Sequence, residues 1–454
     1  MILWHPLSNP IERKPQSHKK INAAPPLILC CSFFILILLG TLTLKLPFAT
    51  YTPITWLQSA FTATSAVTVT GLVVVDTGST FTPFGQGVLA LLIQFGGLGL
   101  MTFAVITLMS LGHKVGFIQK TVTKVAFNQT DTSTLLYTAK SVLLFALIIE
   151  TIGVIILTLY WSSELGLLKS FFHAVFYTIS AFNNAGFALS PNSLMQYVED
   201  PVVNLTITGL FILGGLGFTV LMDLYKSKQW VSLATYSKLM IISTVIINTV
   251  ALLLIYFIEY DNPKTLQPLS ELGKWLAAWF QAVTPRTAGF NTLAIDDLNN
   301  ATTALTMMLM FIGGGSLSTA SGIKVITFIV LILATYSYLK RDKGITVLCR
   351  EIDKNTVYKA LALTIISGGI TWLAIFILLV VEDAPFLDVV FEVVSALGTV
   401  GLSRGLTSSL STAGELIIMF LMFMGRIGPL TIAYFLASPR SRKLKYPSAQ
   451  LSIG

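Results

Sequence analysis

The sequence predicts an all-α polytopic membrane protein of four M-P-M units, each a membrane helix, a half-length P helix with its loop, and a second membrane helix, set around one axis with pseudo-fourfold symmetry. Three observations predict it. Of 454 residues, 54% are hydrophobic and 11% charged, with mean hydropathy +0.78, whereas an ordinary soluble domain carries about 25% charged residues. Lysines and arginines cluster on alternate loops between apolar runs. Between paired runs lie shorter segments, each ending in a motif of small residues and glycine.

Taken in order, residues 1–24 read as a tail. Pro6, Pro10, Pro15 and several charges precede any apolar run, unlike a cleavable signal with a short basic start. Apolar runs follow at 27–46, 89–111, 143–160, 202–224, 239–258, 361–381 and 416–436, each near the roughly 20 residues that cross hydrocarbon. Arg13, Lys14, Lys19 and Lys20; Lys114, Lys120, Lys124 and Lys140; Lys226, Lys228 and Lys238; Lys340, Arg341, Lys343, Arg350, Lys354 and Lys359; and Arg440, Arg442, Lys443 and Lys445 would share one face. The positive-inside bias makes that face cytoplasmic and places both termini there. Lys45, Lys169, Lys264, Lys274, Arg286 and Arg404 remain for the other side. The units divide as 25–112, then 113–235 with a leading linker, 236–345 with a broken second helix, and 346–438, before a cytoplasmic tail over 439–454. Cys30, Cys31 and Cys349 offer neither a disulfide framework nor metal-ligand spacing.

The short segments are 54–66, 168–182, 271–283 and 386–397, each about half a membrane thickness as a helix. The motifs that end them contain Val69, Thr70 and Gly71; Asn184, Ala185 and Gly186; Thr287, Ala288 and Gly289; and Thr399, Val400 and Gly401. One such glycine in an apolar protein is an ordinary packing residue. Four copies, about 100 to 115 residues apart, form a repeat whose period holds two spans, a half-helix and a loop. Non-helical chain at membrane depth leaves carbonyls unpaired unless protein or a water-filled cavity receives them. A desolvating cation can use those oxygens, and glycine permits the dihedrals that aim them inward. These residues are therefore expected to line a selectivity filter in a central ion pore. Thr399-Val400-Gly401 is nearest the Thr-Val-Gly-Tyr-Gly loops of potassium channels. Asn183 and Asn184 either cap the second half-helix or add side-chain oxygens.

At these residues the chain resembles the Trk/Ktr/HKT potassium transporter superfamily, and within it the KtrB-type membrane subunits of bacterial Ktr uptake systems. The resemblance rests on the four glycines, on Gly313-Gly314-Gly315-Ser316 through Lys324, and on Gly425-Arg426-Ile427-Gly428-Pro429. It implies eight membrane helices and four P helices around one pore, a homodimer with a pore in each subunit, and sodium-stimulated uptake of potassium as substrate. Gly71, where sodium-preferring members carry serine, implies potassium selectivity. The resemblance also implies a cytoplasmic RCK/KTN-type, KtrA-like ring that binds nucleotide and gates transport. The chain itself has no nucleotide-binding glycine loop and needs no cofactor of its own.

The stretch 303–338 is too long for one span and is interrupted by Gly313, Gly314, Gly315, Ser316, Ser318, Thr319, Ser321 and Gly322. Glycine costs about 1 kcal/mol against alanine inside a helix, and serine competes for backbone hydrogen bonds. A loop follows, and its place after the third filter glycine puts it just below the filter as a gate. Arg426 costs about 2.5–3.5 kcal/mol near the bilayer centre, so it needs a wet or paired setting. It is expected beside the gate loop, as an electrostatic barrier or an anchor, or else paired with Glu150, Asp223, Glu392 or helix carbonyls. Lys324 either lines the vestibule or snorkels to the cytoplasm.

His113 and His173 stand alone, and no metalloprotease, hydrolase or Cys/His constellation supports an enzyme. The net charge of +8 is explained by membrane sidedness and by contacts to anionic lipid or a cytoplasmic partner, and not by nucleic acid. An alternating-access, cation-coupled carrier is the rival reading. It asks for paired helix interruptions, and the long Gly/Ser break stands only in the third unit.

Overall fold

The computed structural model describes residues 25–99 and 132–428, apart from 317 and 343. The tails at 1–24 and 439–454, the linker with Lys114, Lys120, Lys124 and His113, and Pro429 lie outside these residues. Fourteen helices longer than one turn carry the described chain.

The first unit holds α1 (Pro25–Leu44), the half-helix α2 (Trp56–Thr68) and α3 (Pro83–Leu98). The second holds α4 (Thr132–Leu165), α5 (Leu167–Phe182), α6 (Pro201–Leu216) and α7 (Phe218–Lys226). The third holds α8 (Thr235–Glu259), α9 (Glu271–Val283), α10 (Asn300–Phe311) and α11 (Val325–Leu339). The fourth holds α12 (Lys354–Val381), α13 (Phe386–Gly398) and α14 (Thr412–Ile427). Several starts are written locally. Thr55 and Gln58 close a capping box on α2, and Thr82, Asp200, Ser270 and Ser411 cap α3, α6, α9 and α14 through their side chains.

Among the described residues α4, α8 and α12 are each long and apolar enough to cross a membrane, and α6 with α7 would form a fourth span if read as one. The run at 202–224 is not the single straight span expected: it bends by 94° at Gly217. Gly217 has φ +100° and ψ +137°, a backbone that only glycine takes at little cost.

The molecule is inverted relative to a soluble protein. The outer faces of α1, α4, α8 and α12 expose apolar side chains such as Phe34, Leu159, Phe257 and Phe376, as a hydrocarbon solvent requires. The half-helices form the interior, with Phe61, Phe176, Phe280 and Phe391 fully buried. An element the sequence did not announce joins the third and fourth units, a hairpin of β1 (Ile345–Val347) and β2 (Arg350–Ile352) with Thr346 opposite Glu351. Its two turn residues, Leu348 and Cys349, have φ +46° and +62°, a type I′ turn made without the usual Asn-Gly.

Candidate functional site

The same backbone ends all four half-helices. Val69 caps α2 in the left-handed region and Gly71, two residues on, returns to positive φ. Asn184 and Gly186, Thr287 and Gly289, and Thr399 and Gly401 repeat this pairing, with φ from +49° to +92°. A left-handed residue other than glycine costs about 1–3 kcal/mol and persists only where its surroundings impose it. Here the imposition is hydrogen bonding. The N–H groups of Thr70, Ala185 and Val400 reach the carbonyls of Ser65, Ser180 and Ser395 at 2.8–2.9 Å, closing Schellman ends. The third loop differs, because Arg286 N–H returns to Val283 O at 3.2 Å and Ala288 N–H to Thr284 O at 2.9 Å.

A hydroxyl stands behind each loop. Ser65 Oγ accepts from Gly71 N–H at 3.0 Å and Ser395 Oγ from Gly401 N–H at 3.2 Å. Ser180 Oγ donates to Phe187 O at 2.8 Å, and Thr284 Oγ1 donates to Phe290 O at 2.5 Å. With the donors turned back toward the half-helices, the carbonyls of Val69, Thr70, Asn184, Ala185, Thr287, Ala288, Thr399 and Val400 accept no hydrogen bond among the described residues. All eight residues are buried.

The four loops meet. A Cβ added to Gly71 would strike the Ala185 carbonyl; one on Gly186 would press on Ala288 and Gly289; one on Gly289 would strike the Val400 carbonyl; and one on Gly401 would strike that of Thr70. Each loop thus touches the next in chain order and the last returns to the first. Buried carbonyls without protein donors, brought together from four sides, form a site suited to a desolvated cation.

Below it lies the long break between α10 and α11. Gly313 N–H bonds Ile323 O at 2.8 Å across an isolated bridge, and Gly315 N–H bonds Gly215 O of α6 at 2.8 Å. Ser316 N–H meets the Tyr236 hydroxyl at 2.9 Å, and Ser318 Oγ donates to Gly315 O at 2.8 Å. Thr319 Oγ1 donates to Asn184 Oδ1 at 2.7 Å and also contacts Phe182 O at 3.2 Å, which ties the break to the second filter loop. Gly322, left-handed at φ +68°, turns the chain back against Gly313. Lys324 Nζ donates to Ala320 O at 2.8 Å. Asn183 Nδ2 caps α5 through Ile179 O at 2.9 Å, while the side-chain oxygen of Asn184 is used by Thr319.

Arg426 grips this loop. Nη1 donates to Thr319 O and, at 3.2 Å, to Ser321 Oγ; Nη2 donates to Gly96 O and, at 3.1 Å, to Gly97 O of α3. None of the three carboxylates considered for it is its partner. Glu150 is held by Gln94 Nε2 at 3.0 Å, Asp223 by Ala234 N–H at 2.9 Å, and Glu392 by Ser403 Oγ at 2.8 Å and Thr407. Carbonyls suffice because helix ends leave them unpaired.

Two features escaped the sequence. Arg286 is buried, with Nη1 on Asn248 Oδ1 at 3.0 Å beside a cavity of about 20 Å³ that Gly314 also lines. A left-handed glycine also ends the second helix in the other three units, and at Gly217 the chain bends. Gly99, Gly217 and Gly428 end α3, α6 and α14 with φ of +80°, +100° and +93°. The signal was present as Gly96-Gly97-Leu98-Gly99, Gly214-Gly215-Leu216-Gly217 and Gly425-Arg426-Ile427-Gly428. In that register Arg426 stands where Gly97 and Gly215 leave room.

The chain matches a family model described as TrkH, cation transport protein, over residues 16–445. It is 46% identical over 442 residues to Ktr system potassium uptake protein B of Bacillus subtilis, covering 97% of this chain and 99% of that protein. The protein of the same description from Vibrio alginolyticus is 41% identical, with 96% of each chain covered. The crystal structure of the potassium transporter TrkH from Vibrio parahaemolyticus superposes with a TM-score of 0.75 at 20% identity, over 92% of this chain and 86% of that one.

Proposed function

The chain belongs to the TrkH family of cation transport proteins, as a KtrB-type member, and from that premise we propose that it takes up potassium across a bacterial cytoplasmic membrane. The ions pass through one filter formed by the carbonyls at Val69–Gly71, Asn184–Gly186, Thr287–Gly289 and Thr399–Gly401, with the four units arranged pseudo-symmetrically around it. The single observation that carries this is the closed circuit of four glycines whose neighbouring carbonyls lack protein donors. The segment from Gly313 to Lys324 is the gate, and Arg426 holds it shut against α3. Both termini and the basic loops face the cytoplasm. There a nucleotide-binding ring of the Ktr system controls the gate, sodium stimulates transport, and two copies of the chain form a dimer with separate pores.

The test is potassium uptake by vesicles holding the purified chain, with and without sodium and the nucleotide-binding partner. Saturable potassium entry that both additions raise supports the reading; entry of sodium at the same rate contradicts the filter. A second reading, an alternating-access carrier, gains from the 94° bend at Gly217 and from the left-handed glycines that end α3 and α14. It predicts fixed stoichiometric sodium movement with each potassium ion in the same vesicles.

A further inference from the structure

A groove of about 800 Å³ opens on the outer surface between the two halves of the broken helix and the fourth unit. Phe311 of α10, Val394 of α13, and Phe328, Ile332, Tyr336 and Leu339 along α11 are among its walls. From Phe328 to Leu339 an α-helix rises about 16 Å, close to one leaflet of a hydrocarbon core roughly 30 Å thick. Such a slot, as long as one leaflet and almost wholly apolar, matches one acyl chain lying along α11.

Its other end supplies a charge. Lys340 caps α11, and its ammonium lies 4.6 Å from the ring centroid of Tyr336, one of the groove residues. Arg341 follows it, exposed, and neither residue is in an ion pair among the described residues. A lysine at the mouth of an acyl-chain slot, with an exposed arginine next to it in the chain, is complementary to a phosphate headgroup.

We propose that this groove binds an anionic phospholipid of the cytoplasmic leaflet, one acyl chain along α11 and the phosphate at Lys340 and Arg341. The leaflet rests on the orientation proposed above. The walls α10 and α11 carry the two ends of the segment from Gly313 to Lys324.

Native mass spectrometry of the purified full chain, loaded with dioleoyl phosphatidylglycerol or dioleoyl phosphatidylcholine, tests it. One phosphatidylglycerol per chain is expected to be retained and to be lost in Ile332→Trp, which fills the slot from a position already 47% exposed. Lys340→Gln and Arg341→Gln, both at the surface, each lower retention about fivefold. Equal retention of the two lipids, or undiminished retention in all three variants, overturns the site. So does disulfide linkage between copies carrying Ile332→Cys with Cys30, Cys31 and Cys349 replaced by serine, because a second copy then covers the groove. Potassium uptake in the same variants reports separately on transport.

Discussion

The filter loops and the breaks in the second helices are both written four times in glycine, yet one set stayed alike and the other diverged. At the filter, each unit places a left-handed residue two positions before a left-handed glycine. At the breaks, three units use one bent glycine, and the third spends the residues from Gly313 to Lys324 on a loop held by Arg426. The difference follows from the tasks. A ring of oxygens around one ion fails if any quarter is out of place, whereas a pore is closed by a single obstruction. On the function proposed above, likeness is kept where four parts would act at once and is given up where one part would gate.

The comparison breaks most visibly at the ring. Gly71→Ser is expected to lower potassium preference over sodium at least about tenfold, because its Cβ points at the Ala185 carbonyl and φ +92° is strained for serine. Competition uptake with both ions measures this, and unchanged preference would remove Gly71 from the filter. Arg426→Ala comes next. Hydrogen bonds to a charged group are worth about 1.5–3 kcal/mol each, so releasing the loop should raise uptake without the nucleotide-binding partner about tenfold. Deleting residues 313–316 should act in the same direction.

Thr319→Val removes one weaker bond, the hydroxyl's donation to Asn184 Oδ1 with Phe182 O also near it, at about 1 kcal/mol. It should raise basal uptake a few-fold with selectivity intact; a loss of selectivity would mean that the loop also props the filter. Smallest in transport is Gly217→Ala, where a strained φ costs about 1–2 kcal/mol. Thermal unfolding of the purified chain should register that cost while partner control of uptake stays unchanged. A change in that control would make the bend a second gate.

Much of this was legible in the sequence. The half-helices expected at 271–283 and 386–397 are observed at Glu271–Val283 and Phe386–Gly398, because half-length apolar segments have few other ways to fold. The loops with a left-handed glycine that end these segments, and the break after Phe311, were legible for the same local reason. The bend at Gly217 was not, since one glycine costs a helix only about 1 kcal/mol and is usually tolerated. The burial of Arg286 was not legible, because a charge count assigns a side to a loop and does not say whether the side chain is covered, here with Asn248 receiving it. Arg426 was expected to be able to use a carboxylate; that Gly96 and Gly97 carbonyls serve instead depends on two distant helices meeting, which spacing along the chain does not encode.

The central claim is that four loops form one cation site. Anomalous scattering from crystals of the full chain grown in rubidium tests it most directly. The account predicts a peak on the axis enclosed by Gly71, Gly186, Gly289 and Gly401, lost when rubidium is replaced by lithium. Ordered rubidium elsewhere in the chain, with that axis empty, would contradict it.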